Sequence, residues 1–455
     1  MASITHALPL RSVGKNAVRS LFGSQLRRNM LSGTIASSIG CILMLIAYPA
    51  YLKSLGYQLY GIWLLLNTIT TFAQLGNLGI APALSRQVSE EVGANNMGAV
   101  TSCITTALTA IICIGLVIIL FFSFGCRSLL VVFRLHSSQI TSVTPLLPWI
   151  GVVSACAMMA EVISAASCGL GRMDLYNYAQ CATQGVGVSL SILLLRSGLG
   201  LNSLLIGNAV ATICLAALGV LMTRHLTRSL FISFRSFSLK RLRALISYGS
   251  GLASNSIFTL LFSPFNRLVI ARYAGVSSVP VYDIAFSSCM RLRNIFESGQ
   301  RALIPEIGRV AGTSPAAAYA RAIKLGSRIV RAFAWVLPVY VSAFVSAAPA
   351  LKFWLGSRYD PELALATRII LVGTFFSLVG TPGFYILAAL GRLRTLLVGN
   401  IIQSVSNIVL IGIYLFLFHN LSVSVVLSVT TIAMLCSTIF LVVQSSRVKL
   451  VLPRS

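Results

Sequence analysis

A chain of 455 residues that is 56% hydrophobic and only 10% charged carries more apolar surface than one globular core can hide, so an ordinary soluble fold is excluded. The net charge of +26, from 35 Lys and Arg against nine Asp and Glu, sits in loops and tails and not in one basic domain, which argues against a nucleic-acid partner.

A helix crossing a hydrocarbon core of roughly 30 Å needs about 20 apolar residues. The segment 1–29 has no acid, and Arg11, Lys15 and Arg19 fall one turn apart, as on a basic helix lying on a membrane surface. An organelle transit peptide has the same composition, but nothing else in the chain calls for import. About twelve apolar segments then follow, near 31–52, 59–84, 98–124, 144–168, 175–196, 202–222, 246–270, 280–304, 328–355, 364–388, 396–418 and 422–443. They predict an all-α polytopic membrane protein with a first lobe over 30–222, a basic linker over 223–245, a second lobe over 246–443 and a tail over 444–455. If the N-terminus is cytoplasmic, 24 basic residues fall on that side and 8 outside, the asymmetry that orients multi-pass proteins with both ends inside.

The run from Ser54 to Ser85 contains no charge, yet it ends in LGNLGIAPALSR (75–86). Gly76 and Gly79 permit close approach or bending, Pro82 removes one helical hydrogen bond, and Asn77 offers donors and acceptors to a neighbour or a sugar. Self-similarity recurs at an offset of 219 to 220 residues. Leu170-Gly171-Arg172 matches Leu390-Gly391-Arg392, Gly56 matches Gly275, Ala83-Leu84 matches Ala302-Leu303, and Gly93 matches Gly312. Six spans per repeat return the chain to the same side, so the pseudo-twofold axis runs along the membrane normal, with a cavity expected between the lobes.

Several classes find no support. There is no GxxxxGK[ST] loop for nucleotide phosphates. The three aspartates, Asp174, Asp283 and Asp360, are far apart in sequence, and the four histidines are scattered in the tail and loops, so neither a metal site nor a paired-carboxylate hydrolase is indicated. Ten cysteines without a CxxC pair read as small packing residues. We expect no catalytic residue, metal or cofactor.

Ionisable groups within spans cost about 2.5–3.5 kcal/mol each and mark function. Arg293 and Glu297 are four apart and can pair on one helix face. Arg291 lies about 160° around from Arg293 at 100° per residue and lacks such a partner, which makes it the first candidate for a cavity cation. Arg267 can face the cavity or snorkel to the interface. Glu161, mid-span, is either a proton or sodium site or a neutral hydrogen-bonded acid.

The stretch SLGYQLYGIWLLLNTITTFAQLGNLGIAPALSRQVSEEVG (54–93) resembles the N-terminal signature of the Wzx-type polysaccharide flippases of the multidrug/oligosaccharidyl-lipid/polysaccharide exporter superfamily. The pattern recurs in VPVYDIAFSSCMRLRNIFESGQRALIPEIGRV (279–310), and FYILAALGRLRTLLVGNIIQSVSNIVL (384–410) fits the family's late helices. Two positions depart from it: Asn77 and Asn266 stand where members often have Asp. The resemblance implies two six-helix lobes and transport of a polyprenyl-diphosphate-linked oligosaccharide to the outer leaflet of the cytoplasmic membrane for surface polysaccharide assembly. It further implies partners among membrane lipids, a polysaccharide polymerase and a chain-length regulator. On that reading Arg291, Arg267, Arg86 at the inner mouth and Asn77 contact substrate, while Glu161 and Glu297 are the ion-coupling candidates. The alternatives are a drug/cation antiporter, a membrane sugar polymerase and a non-transporting scaffold.

Overall fold

A computed structural model describes the backbone of residues 11–77, 79–125, 143–227, 237–298, 315–389 and 392–450, all of it helices, turns and short connections. The helices are α1 Arg11–Gln74, α2 Ile80–Gly93, α3 Met97–Leu120, α4 Leu147–Gly169, α5 Met173–Arg196, α6 Leu201–Thr227, α7 Leu239–Tyr273, α8 Val279–Ser298, α9 Pro315–Leu355, α10 Pro361–Ala389, α11 Leu393–Phe418 and α12 Val423–Leu450. Helix is the only open-ended element that pairs every backbone N–H and C=O within itself where there is no water. The protein is therefore inside out relative to a soluble one. Phe353, Phe124, Trp335 and Phe416 are 93%, 84%, 83% and 80% exposed, whereas Asp174, Asn266, Thr374 and Thr430 are fully buried.

Nine segments among the described residues are long and apolar enough to span, from Leu31–Asn77 to Val423–Arg447. The first is two passes: α1 breaks at Gly56. Helix α8 falls below that measure because it carries Asp283, Arg291, Arg293 and Glu297, and α7 because its middle is rich in Ser, Gly and Asn. Counting them, the chain crosses twelve times. The basic residues from Arg11 to Arg28 do not form a separate surface helix; they extend the helix of the first span, whose one non-helical residue is Gly56. The proposed linker is largely the end of α6 and the start of α7, with 228–236 outside the described residues.

The two lobes repeat their packing. In the first, α3 packs on α4, α4 on α6, α5 on α6, α1 on α5 and α2 on α4. Adding six to each label reproduces the contacts of the second lobe: α9 on α10, α10 on α12, α11 on α12, α7 on α11 and α8 on α10. The repeat survives in backbone detail. Gly56 (φ 70, ψ 175) and Gly275 (φ 97, ψ 156) occupy the same region, open essentially to glycine alone, before the second and eighth spans. Arg172 N donates to Ser167 O and Arg392 N to Leu387 O, closing matched turns before α5 and α11. The other second-half partners, Ala302, Leu303, Gly312, Leu390 and Gly391, lie outside the described residues.

Helices meet closely where side chains are small. A Cβ on Gly207 of α6 would lie 2.6 Å from Gly187 O of α5, so these two backbones touch. At Gly56, by contrast, a Cβ would meet nothing within 4 Å. Gly56→Ala should therefore report backbone strain alone, lowering stability by about 1–3 kcal/mol. A thermal unfolding midpoint in detergent equal to that of the wild type would show that the break does not need this conformation.

Candidate functional site

The α7–α8 hairpin turns at Gly275. Arg267 and Asp283 each lie eight residues from that turn, so two antiparallel helices rising about 1.5 Å per residue bring them to one depth. There the Arg267 guanidinium pairs with the Asp283 carboxylate, with side chains 16% and 4% exposed. Tyr48 of α1 reaches across from the first lobe and donates to Asp283 Oδ2 at 3.4 Å. Arg267 thus points inward to a partner and does not snorkel.

One residue earlier, the buried Asn266 anchors a neutral network. Its Nδ2 donates to Tyr282 Oη at 3.1 Å and Thr430 Oγ1 at 3.0 Å, and its Oδ1 accepts from Asn407 Nδ2 at 2.7 Å. Thr430 Oγ1 in turn donates to Asn407 Oδ1 at 3.2 Å. Four helices, α7, α8, α11 and α12, are joined by groups that carry no charge. An aspartate at 266 would put an acceptor where the amide now donates twice.

Further along α8, Arg293 pairs with Glu297 at 2.8 Å as the spacing predicts, and Tyr385 of α10 donates to the second oxygen of that carboxylate at 2.8 Å. Arg291 is different. Its Nη1 makes a long 3.5 Å contact to Gly40 O of α1, and its Nε, like those of Arg267 and Arg293, is buried without a hydrogen-bond partner among the described residues. None of their carboxylates lies within ion-pair distance of it. Arg291 and Arg267 both act electrostatically on Tyr48, so the structure gathers these two cations around one interlobe tyrosine.

On the side away from the basic loops the lobes are tied together. Trp354 Nε1 donates to Leu45 O at 2.7 Å, Tyr57 Oη to Arg358 O at 2.7 Å, and Arg358 Nη2 to Lys53 O at 3.3 Å. Trp354 also meets the Tyr48 ring edge-on at 6.1 Å between centroids. On the basic side the contact runs through the start of α7. Arg241 there reaches Glu91 at 3.3 Å, and Tyr248 lies under the Arg86 guanidinium at 4.3 Å.

Arg86 and Asn77 do not join the cationic seam. Arg86 is exposed and bonded to Glu90 at 2.7 Å. Asn77 is buried in the first lobe, where its Nδ2 donates to Glu161 Oε2 at 3.0 Å. A small cavity nearby in sequence is lined by Trp63, Asn67, Thr70 and Asn208 between the second, fourth and sixth spans. Sequence reasoning missed Asp283, Tyr48 and Tyr385. The equal distance of Arg267 and Asp283 from Gly275 was a usable signal; the two tyrosines had none. No group of three or more His, Cys, Asp or Glu converges among the described residues.

Two six-span lobes of the same orientation, meeting at a cationic seam, define a polytopic transporter fold. A multidrug resistance MATE family transporter of the MOP superfamily, solved in an inward-facing conformation, superposes with a TM-score of 0.74 at 15% identity, over 91% of this chain and 96% of that one. An outward-facing structure of such a transporter gives 0.58 at 16% identity, over 93% and 96%. The pattern of the family "Polysaccharide biosynthesis protein" matches residues 26–311, more than half of the sequence, and the chain belongs to that family. It is also 20% identical, over 388 residues covering 84% of this chain and 86% of the relative, to the Shigella flexneri protein named "Putative O-antigen transporter".

Removing one member of a buried ion pair leaves an uncompensated charge and costs about 3–5 kcal/mol, whereas replacing both by apolar groups is close to neutral. Asp283→Asn should lower the unfolding midpoint clearly, and the double variant Arg267→Met/Asp283→Leu should recover most of the loss. Equal midpoints for wild type and Asp283→Asn would mean that the pair does not bear on stability.

Proposed function

We propose that this protein is a flippase that carries a polyprenyl-diphosphate-linked oligosaccharide from the cytoplasmic to the outer leaflet of the cytoplasmic membrane, for assembly of a surface polysaccharide. The family and its transporter relatives support export of a polysaccharide precursor and give no support to catalysis. The observation that carries the substrate class is Arg291. A half-buried arginine facing the other lobe, its Nε buried and no carboxylate among its described neighbours, is costly in a membrane and would be compensated by an anionic ligand. A diphosphate supplies two such charges and accepts the bidentate hydrogen bonds that arginine offers. Arg267, already held by Asp283, is the second contact, and Arg86 stands at the mouth on the basic side. The same cations disfavour a positively charged drug as cargo.

Alternating access is the mode of transport in this reading. The lobes are joined through Tyr57, Trp354 and Arg358 on the outer side and through Arg241–Glu91 and Tyr248–Arg86 on the basic, cytoplasmic side, and parting the latter would open the space between them inward. The greater similarity to an inward-facing than to an outward-facing transporter supports this assignment. An inside-negative potential then favours outward movement of the anionic head by about 2.3 kcal/mol per charge per 100 mV. A polymerase and a chain-length regulator are the partners that would take up the exported unit.

A hydrogen bond to a charged group is worth about 1.5–3 kcal/mol, so Arg291→Ala should slow transport roughly 10- to 100-fold. The assay follows a fluorescent polyprenyl-diphosphate oligosaccharide becoming accessible on the far leaflet of reconstituted vesicles. Unchanged transport would remove Arg291 from the diphosphate site. Ethidium export without movement of the lipid would replace the reading with a drug antiporter.

A further inference from the structure

We propose that Asn77 and Glu161 form a proton-binding site in the first lobe, in which a protonated Glu161 carboxyl closes a paired acid–amide contact with Asn77. The amide of Asn77 donates through Nδ2 to Glu161 Oε2 at 3.0 Å. Its other end is left over: Oδ1 is buried, in a residue only 6% exposed, and has no hydrogen-bond partner among the described residues. A buried acceptor without a donor is costly. An ionised carboxylate has acceptors only and cannot help it, whereas a carboxylic acid has one O–H to give. One proton on Glu161 therefore supplies the donor that Oδ1 lacks while the second carboxyl oxygen keeps its bond from Nδ2. Uptake is simple in balance: one carboxylate gains one proton from water, and no bond of the chain breaks.

The surroundings favour a proton over a bare metal cation, which needs several oxygen ligands. Around the pair the hydroxyl of Ser164 is committed to Ala160 O at 2.6 Å, and among the described residues no group of three or more His, Cys, Asp or Glu converges there. The titratable group facing Glu161 is Tyr176 of α5, which Cys168 of α4 also faces. On α2, Glu90 is held by Arg86 and Glu91 by Arg241. The middle turns of α3 and α6 carry only the thiols Cys103, Cys113 and Cys214, and α1 brings Tyr51 and Tyr60. Among the described residues no cation pairs with Glu161. Glu161 is exposed while Asn77 is buried, so the site joins an accessible face to the interior of the lobe. Glu297, the other acid expected to couple ions, is already bound by Arg293 and Tyr385.

The position of the pair gives proton occupancy a mechanical reach. Asn77 ends the 3-10 turn Leu75–Asn77, where the second span is broken before α2. Two residues on, Gly79 has φ 71, and a Cβ there would sit 2.2 Å from Gly249 O of α7. The break is thus pressed against the helix that leads into the second lobe. When the proton leaves, Asn77 Oδ1 loses its donor and is repelled by the carboxylate while Nδ2 keeps its bond, so the amide turns and the 3-10 turn that carries it shifts against α7. This coupling role rests on the transport reading above; the proton site itself does not.

The first test needs no substrate. Infrared difference spectra of purified wild-type protein across a pH titration should show a carboxylic-acid carbonyl band that is absent in Glu161→Gln and displaced in Asn77→Leu. Glu161→Gln still offers an N–H to Oδ1, and its unfolding midpoint, measured alongside, should match the wild type. The same titrating band in wild type, Glu161→Gln and Asn77→Leu would overturn the site and leave the lipid-transport reading untouched. In the second test, vesicle flux of the labelled lipid should respond to an imposed proton gradient and not to a sodium gradient, and the response should vanish in Glu161→Gln. Flux driven by sodium, or a proton response retained in Glu161→Gln, would overturn the coupling role.

Discussion

The bilayer interior offers no water, so every charge or amide placed there must be answered by the chain itself or by cargo. The rest of the structure follows from how this is met. Apolar side chains face outward, where a soluble protein would expose charge, and the polar residues converge on helix contacts. Of the guanidiniums at 267, 291 and 293, two have carboxylates, Asp283 for Arg267 and Glu297 for Arg293. Arg291 has a long contact to a carbonyl of α1, and the proposed anionic cargo is assigned to it on that ground.

The two lobes share packing but not chemistry. In the second, ion pairs and the Asn266–Asn407–Thr430 network hold α7, α8, α11 and α12 together, with Tyr48 of the first lobe adding a hydrogen bond to Asp283. In the first, the corresponding region holds one acid and one amide, and the amide is half satisfied. This asymmetry suits a carrier in which one half grips an anionic head and the other senses a proton. Tyr48 stands where the halves meet, touching Asp283 through its hydroxyl and Trp354 through its ring, so the cationic seam and the interlobe contacts on the side away from the basic loops share one side chain.

Composition and periodicity were enough for the class, the twelve crossings and the internal repeat, because each is a property of consecutive residues: a span is apolar over its own length, and a glycine needing φ near 70–97 is marked by its type. The Arg293–Glu297 pair was legible for the same reason, being one helical turn. The separation of Arg267 from Asp283 was nearly legible, since a hairpin with a known turn fixes depth. The contacts of Tyr48 with Asp283, Tyr385 with Glu297 and Asn77 with Glu161 span 235, 88 and 84 residues and depend on which helix faces which and at what rotation. Rotation and register between distant helices are set by the summed fit of many side chains, and no single stretch of sequence contains that sum; only the tertiary structure decided them.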